Sequence, residues 1–143
     1  MKAIIPKFFS IYHIISVPVR LGGTGSSATE GYVEAFNVTI GQWGGICNNA
    51  FDIFDAHVVC NMLGYATAIE ALSNGAAADI FGTAASGSNF TLDNLNCDGS
   101  ETSVFKCPIS TELAKICDAS QIAGVRCATS KQWTIFLKYY YQS

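Results

Sequence analysis

Apolar and polar positions alternate over short stretches of this chain, and glycine or proline breaks each stretch before it grows long. Val19-Arg20-Leu21 reads as a brief strand closed by Gly22-Gly23. From Gly31 to Ile40 the side chains divide into Tyr32, Glu34, Phe36 and Val38 against Val33 and Ala35, the two-residue period of a strand. Gln42 to Cys47 gives another strand, entered through a turn at Gly41. The period then changes. Asp55 stands as the N-cap of a helix over Ala56 to Leu63, with Gly64 at the C′ position. Val59, Cys60 and Leu63 share one face of that helix by i, i+3, i+4 spacing, which directs Cys60 into the core. Residues 71–89, rich in Ala, Gly and Ser, form the least structured stretch. Phe90-Thr91-Leu92 and Leu95-Asn96-Cys97 read as a strand pair or one bent strand. Ser100 is placed as the cap of a single helical turn over Glu101 to Cys107 that Pro108 ends, and Ile122 to Cys127 as the closing strand. The class is α+β, mostly short strands with one main helix, and Trp43 is assigned to the core.

The two ends depart from this pattern. Residues 1–18 form an apolar leader in which Phe8 to Val17 matches a signal-peptide core in length and is too short to span a bilayer. A misassigned start of the reading frame is the competing reading. Residues 129–143 lack cysteine and a helical stripe but are dense in aromatics, with Trp133 and Tyr139 to Tyr141. They read as an edge strand or as the truncated end of a longer reading frame, and the second is favoured.

Half the residues are apolar and 13% are charged, so residues 19–128 can build a packed core. A net charge of −3 with eight Lys and Arg gives no basic footprint for phosphates, which excludes nucleic acid as a partner class. The six cysteines, at 47, 60, 97, 107, 117 and 127, contain no Cys-x-x-Cys knuckle for zinc or dithiol redox chemistry. Three disulfides in an oxidising compartment account for them better, although six cysteines allow 15 pairings and spacing alone does not choose. Asn37-Val38-Thr39 and Asn89-Phe90-Thr91 are glycosylation sequons and agree with secretion, making Asn37 and Asn89 candidate glycan sites.

Several segments, taken in order, are similar to one family. Val19-Arg20-Leu21-Gly22-Gly23, Gly31-Tyr32-Val33-Glu34, Gly41-Gln42-Trp43-Gly44-Gly45-Ile46-Cys47 and Asp55-Ala56-His57-Val58-Val59-Cys60-Asn61-Met62-Leu63-Gly64-Tyr65 resemble the first half of a scavenger receptor cysteine-rich domain. Phe81-Gly82, Leu92 to Glu101, Cys107-Pro108 and Ala123 to Cys127 resemble its second half. The resemblance implies a small disulfide-stapled domain in which a curved antiparallel sheet cradles one main α-helix. It also implies the pairing Cys47–Cys117, Cys60–Cys127 and Cys97–Cys107. Tyr65 stands where an eight-cysteine subclass carries a further cysteine, so the resemblance is to the six-cysteine subclass.

The family works by binding. The resemblance implies an extracellular or secreted recognition module, or the ectodomain of a membrane protein, that takes microbial, polyanionic or protein ligands without catalysis or cofactor. The alternative is a structural or interaction spacer within a larger mosaic protein. Membrane attachment would come only through a parent chain. Some members bind calcium through two Asp directly after the first of these cysteines and a Glu four residues after the fifth. Here those positions hold Asn48, Asn49 and Gln121, while Asp93 keeps its acid at a position resembling a second cation site. Affinity for calcium follows ligand charge, so these four residues are expected to form a degenerate remnant with no metal. Lys106, Lys115 and Arg126 are scattered and make no replacement basic cluster. An enzyme reading finds no support: His57 is the one histidine in the domain, Cys60 is assigned to a bridge, and neither Gly22-Gly23-x-Gly25 nor Gly82 to Gly87 carries the Lys and helix of a phosphate loop.

Overall fold

The structure, a computed structural model, describes residues 17–85, 89–109 and 117–130. Most of the apolar leader and the aromatic tail from residue 131 onward, with Trp133 and Tyr139 to Tyr141, lie outside those residues, as does Lys115. The elements run β1 (Val19–Gly22), β2 (Glu30–Asn37), β3 (Gln42–Ile46), α1 (Ile53–Met62), β4 (Ala68–Leu72), α2 (Ala76–Phe81), β5 (Phe90–Leu92) and β6 (Gly124–Cys127). Single 3₁₀ turns occupy Val104–Lys106 and Ala119–Gln121.

β2 is the hub of one six-stranded sheet. It pairs antiparallel with β1 along one edge, and with β6 and then β3 along the other. β4 adds beyond β6, antiparallel, and β5 lies beside β3 in parallel, so the sheet is antiparallel except at that one edge. Side-chain alternation on β2 serves two cores. Val33 and Ala35 join the main core with Val58, Val59, Cys60, Leu95 and Val125, while Tyr32 joins a smaller one with Leu72, Ala77, Phe81 and Ile122. The second core demands close backbone approach: a Cβ on Gly124 would lie 2.7 Å from Ala77 Cβ and 2.9 Å from the Gly31 carbonyl.

Helix α1 begins earlier than the sequence suggests. Asp52, not Asp55, is the N-cap, with extended backbone and a carboxylate that accepts the N–H of Phe54 at 2.9 Å and of Asp55 at 3.2 Å. Asp55 is the N3 partner of a capping box and accepts the Asp52 N–H at 2.9 Å. Both aspartates have the spacing of a cap, and the apolar pair Ile53-Phe54 between them is exposed. Asp55 is fully buried, and its other oxygen accepts the Cys97 N–H at 2.8 Å, tying the helix start to the segment after β5. Burial raises its pKa to about 6 against the lowering pull of those backbone bonds, with the Asp52 carboxylate adding to the rise.

Other expectations need correction. β2 stops at Asn37, and Val38 to Ile40 form the exposed hairpin turn. Residues 71–89 contain the end of β4 and the whole of α2, which the alanine-rich composition concealed because neither has a clear polar face. Leu95 contributes only an isolated bridge to Ile109, not a strand. The turn before Cys107 is Val104–Lys106 capped by Ser103, whose hydroxyl accepts the Phe105 N–H at 3.2 Å, rather than one capped by Ser100. Trp43 is half-buried, not in the core. It pairs edge-on with Phe36 across the strand, centroids 5.4 Å apart, and Arg20 lies 4.2 Å above its ring. Arg20 also donates to the buried carboxylate of Glu34 at 3.0 Å.

Three disulfides close the domain: Cys47–Cys117, Cys60–Cys127 and Cys97–Cys107, with Cα atoms 6.1, 5.6 and 4.7 Å apart. The first two span 70 and 67 residues of sequence, so each removes much loop freedom from the unfolded chain. Replacing Cys60 and Cys127 together with Ala is expected to lower the unfolding free energy by about 4 kcal/mol, and the Cys97/Cys107 pair by about 3 kcal/mol, read from guanidinium unfolding. Asp55 gives a second expectation. Its raised pKa means that the folded state holds the proton more tightly than the unfolded state, so its contribution is greatest below pH 4 and is lost as pH rises through about 6. The unfolding free energy of the wild type minus that of Asp55→Asn should therefore fall by roughly 2–3 kcal/mol between pH 4 and pH 7.5. A difference that is flat with pH would contradict this placement of the acid.

Candidate functional site

Two places concentrate polar chemistry. The first lies where the loop after β3 meets the Ala119–Gln121 turn, joined by the Asn48 N–H donating to the Gln121 carbonyl at 2.8 Å. Asn49 Nδ2 donates to Asp93 Oδ1 at 3.2 Å and lies 3.8 Å from Cys117 Sγ. An amide facing a carboxylate must present its NH₂, because its oxygen would be repelled. Asp93 Oδ1 also accepts the Asn94 N–H at 2.7 Å, while Oδ2 is buried without a protein partner. Gln121 spends its side-chain oxygen on the Asp118 N–H at 2.9 Å as part of a capping box. Asp118 in turn accepts the Ser120 hydroxyl and the Ser120 N–H, which hold its carboxyl below the usual range.

This donor set does not fit calcium. A calcium ion needs several converging oxygens, preferably charged. Asn49 aims hydrogens at Asp93, and the Gln121 oxygen is already engaged. Asp52 and Asp55 are consumed by the helix start. Asp93 also lies near the sulfurs of Cys47 and Cys117, and Glu101 near those of Cys97 and Cys107. Those sulfurs are in disulfides and offer no thiolate to a metal.

The second place is an open groove of about 420 Å³, lined by Ile53, Phe54 and His57 of α1, by Thr67, and by the loop Asp98-Gly99-Ser100. Its floor is apolar: Ile53 is 43% and Phe54 53% exposed, high values for such side chains on a helix. The loop wall is shaped by hydrogen bonds. The Glu101 carboxylate accepts the N–H of Asp98 at 3.0 Å and of Gly99 at 3.1 Å, and Asp98 accepts the Ser100 N–H at 2.8 Å and hydroxyl at 2.5 Å. The two Ser100 bonds lower the Asp98 pKa, and that carboxylate stays ionised at neutral pH. Gly99 has φ 96°, a conformation that favours glycine, and sits against Phe54, whose Cδ1 a Cβ would approach to 3.3 Å. Thr67 Oγ1 lies 3.0 Å from His57 Nδ1 and 3.3 Å from the Ala68 carbonyl, and the imidazole tautomer sets which of Thr67 and His57 donates. His57 and Ser100 share the groove, yet the Ser100 hydroxyl is turned to Asp98 and no nucleophile–base pair forms. Sequence reasoning passed over this groove; its signal was Ile53-Phe54, two large apolar residues between caps.

Of the sequons, Asn37 closes β2, its Oδ1 accepting the Thr39 N–H at 3.0 Å, and Asn89 is exposed just before β5. Thr91 donates its hydroxyl to the Ala35 carbonyl at 2.9 Å. Arg126 is clamped between Glu70 at 2.6 Å and Glu30 at 3.1 Å, which hold its guanidinium charged, and Lys106 donates to Thr102 at 3.1 Å. Among the described residues no basic cluster stands ready for a polyanion.

The model of the scavenger receptor cysteine-rich (SRCR) domain family matches residues 23–128. Galectin-3-binding protein of Rattus norvegicus is 38% identical over 108 residues, 76% of this chain but 17% of that protein. Lysyl oxidase homolog 3 of Mus musculus is 39% identical over 109 residues, 76% of this chain and 13% of that protein. Among solved structures, the third SRCR domain of murine neurotrypsin shares 32% identity with a TM-score of 0.65, covering 77% of this chain and 94% of that one. The SRCR domain of mouse MARCO in its dimeric form shares 32% identity with a TM-score of 0.56, covering 82% and 98%. The chain thus spans less than a fifth of its relatives' full length, and the lysyl oxidase homologues meet it only through their SRCR domains. A β2-centred sheet around one helix, three disulfides and a whole-domain match together place this chain in the scavenger receptor cysteine-rich family, extracellular and non-catalytic modules of receptors and secreted proteins that mediate protein interaction.

Proposed function

We propose that this chain is a ligand-recognition module, itself without catalytic activity, that engages a protein or microbial-surface ligand without calcium. The observation that carries the reading is the Asn49 amide directed at Asp93, with Gln121 bound into its own turn. Where a cation would bridge domain and anionic ligand, the Asn49 amide is bound to the Asp93 carboxylate and the Gln121 oxygen to the Asp118 N–H. Clamping of Arg126 between two carboxylates removes a further anchor for a polyanion. A protein ligand suits the surface that remains, in which apolar side chains such as Phe54, Ile69 and Val38 are exposed between polar ones. One relative's name records binding of a galectin, which supports a protein ligand for this module as well. We place the module outside the cell, with glycans at Asn37 and Asn89, in a scavenger-receptor-like or secreted defence protein.

A second reading, an interaction spacer within a mosaic parent, draws support from the small fraction of each relative that the match covers. Binding separates the two: a recognition module retains a saturable protein ligand from an extracellular protein array when expressed alone, and a spacer does not. Retention should be the same in calcium and in EDTA. Retention on dextran sulfate that appears only with calcium would overturn the calcium-free reading.

Calorimetric titration with calcium should give no binding in the micromolar range. The variant carrying Asn48→Asp, Asn49→Asp and Gln121→Glu should gain affinity at least about tenfold, because ligand charge sets calcium affinity. Micromolar binding by the wild type would contradict the proposal.

A further inference from the structure

We propose that Asn74 is a site of spontaneous modification, where the folded protein loses the side-chain amide through a cyclic imide and gains a main-chain carbon between β4 and α2. Asn74 is the one asparagine of the chain followed by glycine, and Asn74-Gly75-Ala76 is not a sequon. With no side chain, Gly75 leaves its own nitrogen open to approach. The two residues make the turn out of β4, with φ 55° at Asn74 and 87° at Gly75, the pair of positive values that favours Asn-Gly. The Ala76 N–H closes this turn on the Ser73 carbonyl at 3.0 Å. Asn74 is exposed, and nothing lies within 4 Å of the place a Gly75 Cβ would take. Among the described residues, neither the Asn74 amide nor the Gly75 N–H has a hydrogen-bond partner. Electrophile and nucleophile are adjacent, solvated and unengaged.

In the reaction the Gly75 nitrogen gives its proton to solvent and bonds to Asn74 Cγ. The Cγ–Nδ2 bond then breaks, and ammonia leaves with a proton returned from water. A water molecule opens the five-membered imide at either carbonyl. One opening restores the main chain with a carboxylate at position 74, and the other routes the main chain through Cβ as isoaspartate. The chain holds its own control. Asp98 is the one aspartate followed by glycine and is open to the same ring closure. There the Glu101 carboxylate accepts the Gly99 N–H at 3.1 Å, and Asp98 Oδ1 accepts the Ser100 N–H and hydroxyl, so both reacting groups are occupied. The fold protects one dipeptide and leaves the other open. The consequence follows from what α2 holds. It supplies Ala77 and Phe81 to the smaller core, and the Phe81 carbonyl accepts the Thr24 N–H at 2.8 Å. No cysteine lies between Cys60 and Cys97, so no disulfide anchors this segment. Isoaspartate therefore loosens α2 and the smaller core while α1 and the bridged main core stay as they are.

Incubating the full chain, disulfides intact, at mildly alkaline pH tests this, with peptide mapping by electron-transfer mass spectrometry to separate isoaspartate from aspartate. Asn74 should convert before any other asparagine, at a rate within about tenfold of that in the reduced, denatured chain, because an exposed turn opens at little cost. Asp98 should isomerise only in the denatured chain. The isoaspartate fraction, isolated by anion exchange on its added charge, should exchange amides about tenfold faster over Ala76–Phe81 and unchanged over Ile53–Met62. Asn74→Gly, which puts a residue tolerant of positive φ in the same turn, should keep α2 exchange constant throughout the incubation. Asn74 left intact in the folded chain while it converts in the denatured one would overturn the proposal, as would earlier conversion at another asparagine. Equal α2 exchange in the converted and unconverted forms would overturn its structural consequence.

Discussion

The Cys60–Cys127 bridge fastens the one long helix to the strand that joins both halves of the sheet, and the domain depends on it. β6 pairs with β2 on one side and β4 on the other, so a covalent tie from α1 to β6 fixes the helix against the sheet's middle. The strands run from three to eight residues and α1 has ten, too little regular structure to define the helix position by packing alone. Asp55 completes the constraint from the helix's other end. Its buried carboxylate binds the Cys97 N–H, which links α1 to the loop that Cys97–Cys107 closes. Helix, sheet and loop are thus held by two covalent ties and one buried acid, and the groove wall at Asp98 to Ser100 inherits its position from them.

Much of this was legible in the residues. The alternation at β2, the glycines that open β3 and close α1, and the order of motifs led to the domain's class and to its family. What escaped was decided by partners far away in sequence. Asp52 and Asp55 are equally good caps locally, and only the Cys97 N–H, 42 residues on, draws Asp55 inward and leaves Asp52 as the cap. Trp43 sits in a strand motif, but its place depends on Phe36 and Arg20 across two strand pairs, which turn it into a surface platform. β4 and α2 were hidden because their short alanine-rich sequences take their order from neighbours: β4 from β6, and α2 from Tyr32 and Gly124.

The amide cluster shows how a charge change can alter function without disturbing a fold. Asn49 and Gln121 keep nearly the shape of the acids they stand in for without their charge: Asn49 donates its amide N–H to Asp93, and the Gln121 side-chain oxygen accepts the Asp118 N–H. Asp93, whose second oxygen is buried without a protein partner, marks what has not been compensated. The cluster lies beside the Cys47–Cys117 bridge, in ground that the disulfide holds rigid whether or not an ion is wanted there.

Arg20 illustrates a different effect. Its guanidinium is half-exposed, lies over the Trp43 ring, and would appear on any map of the surface as a ready anchor for an anion. Yet it is the partner of Glu34, an acid that is 2% exposed and has its other oxygen already unsatisfied. Removing the arginine would leave that acid buried without a counter-charge, a cost borne by the whole domain. Alanine scanning for ligand contacts will therefore score Arg20 as if it touched the ligand, when what fails is secretion of the folded protein.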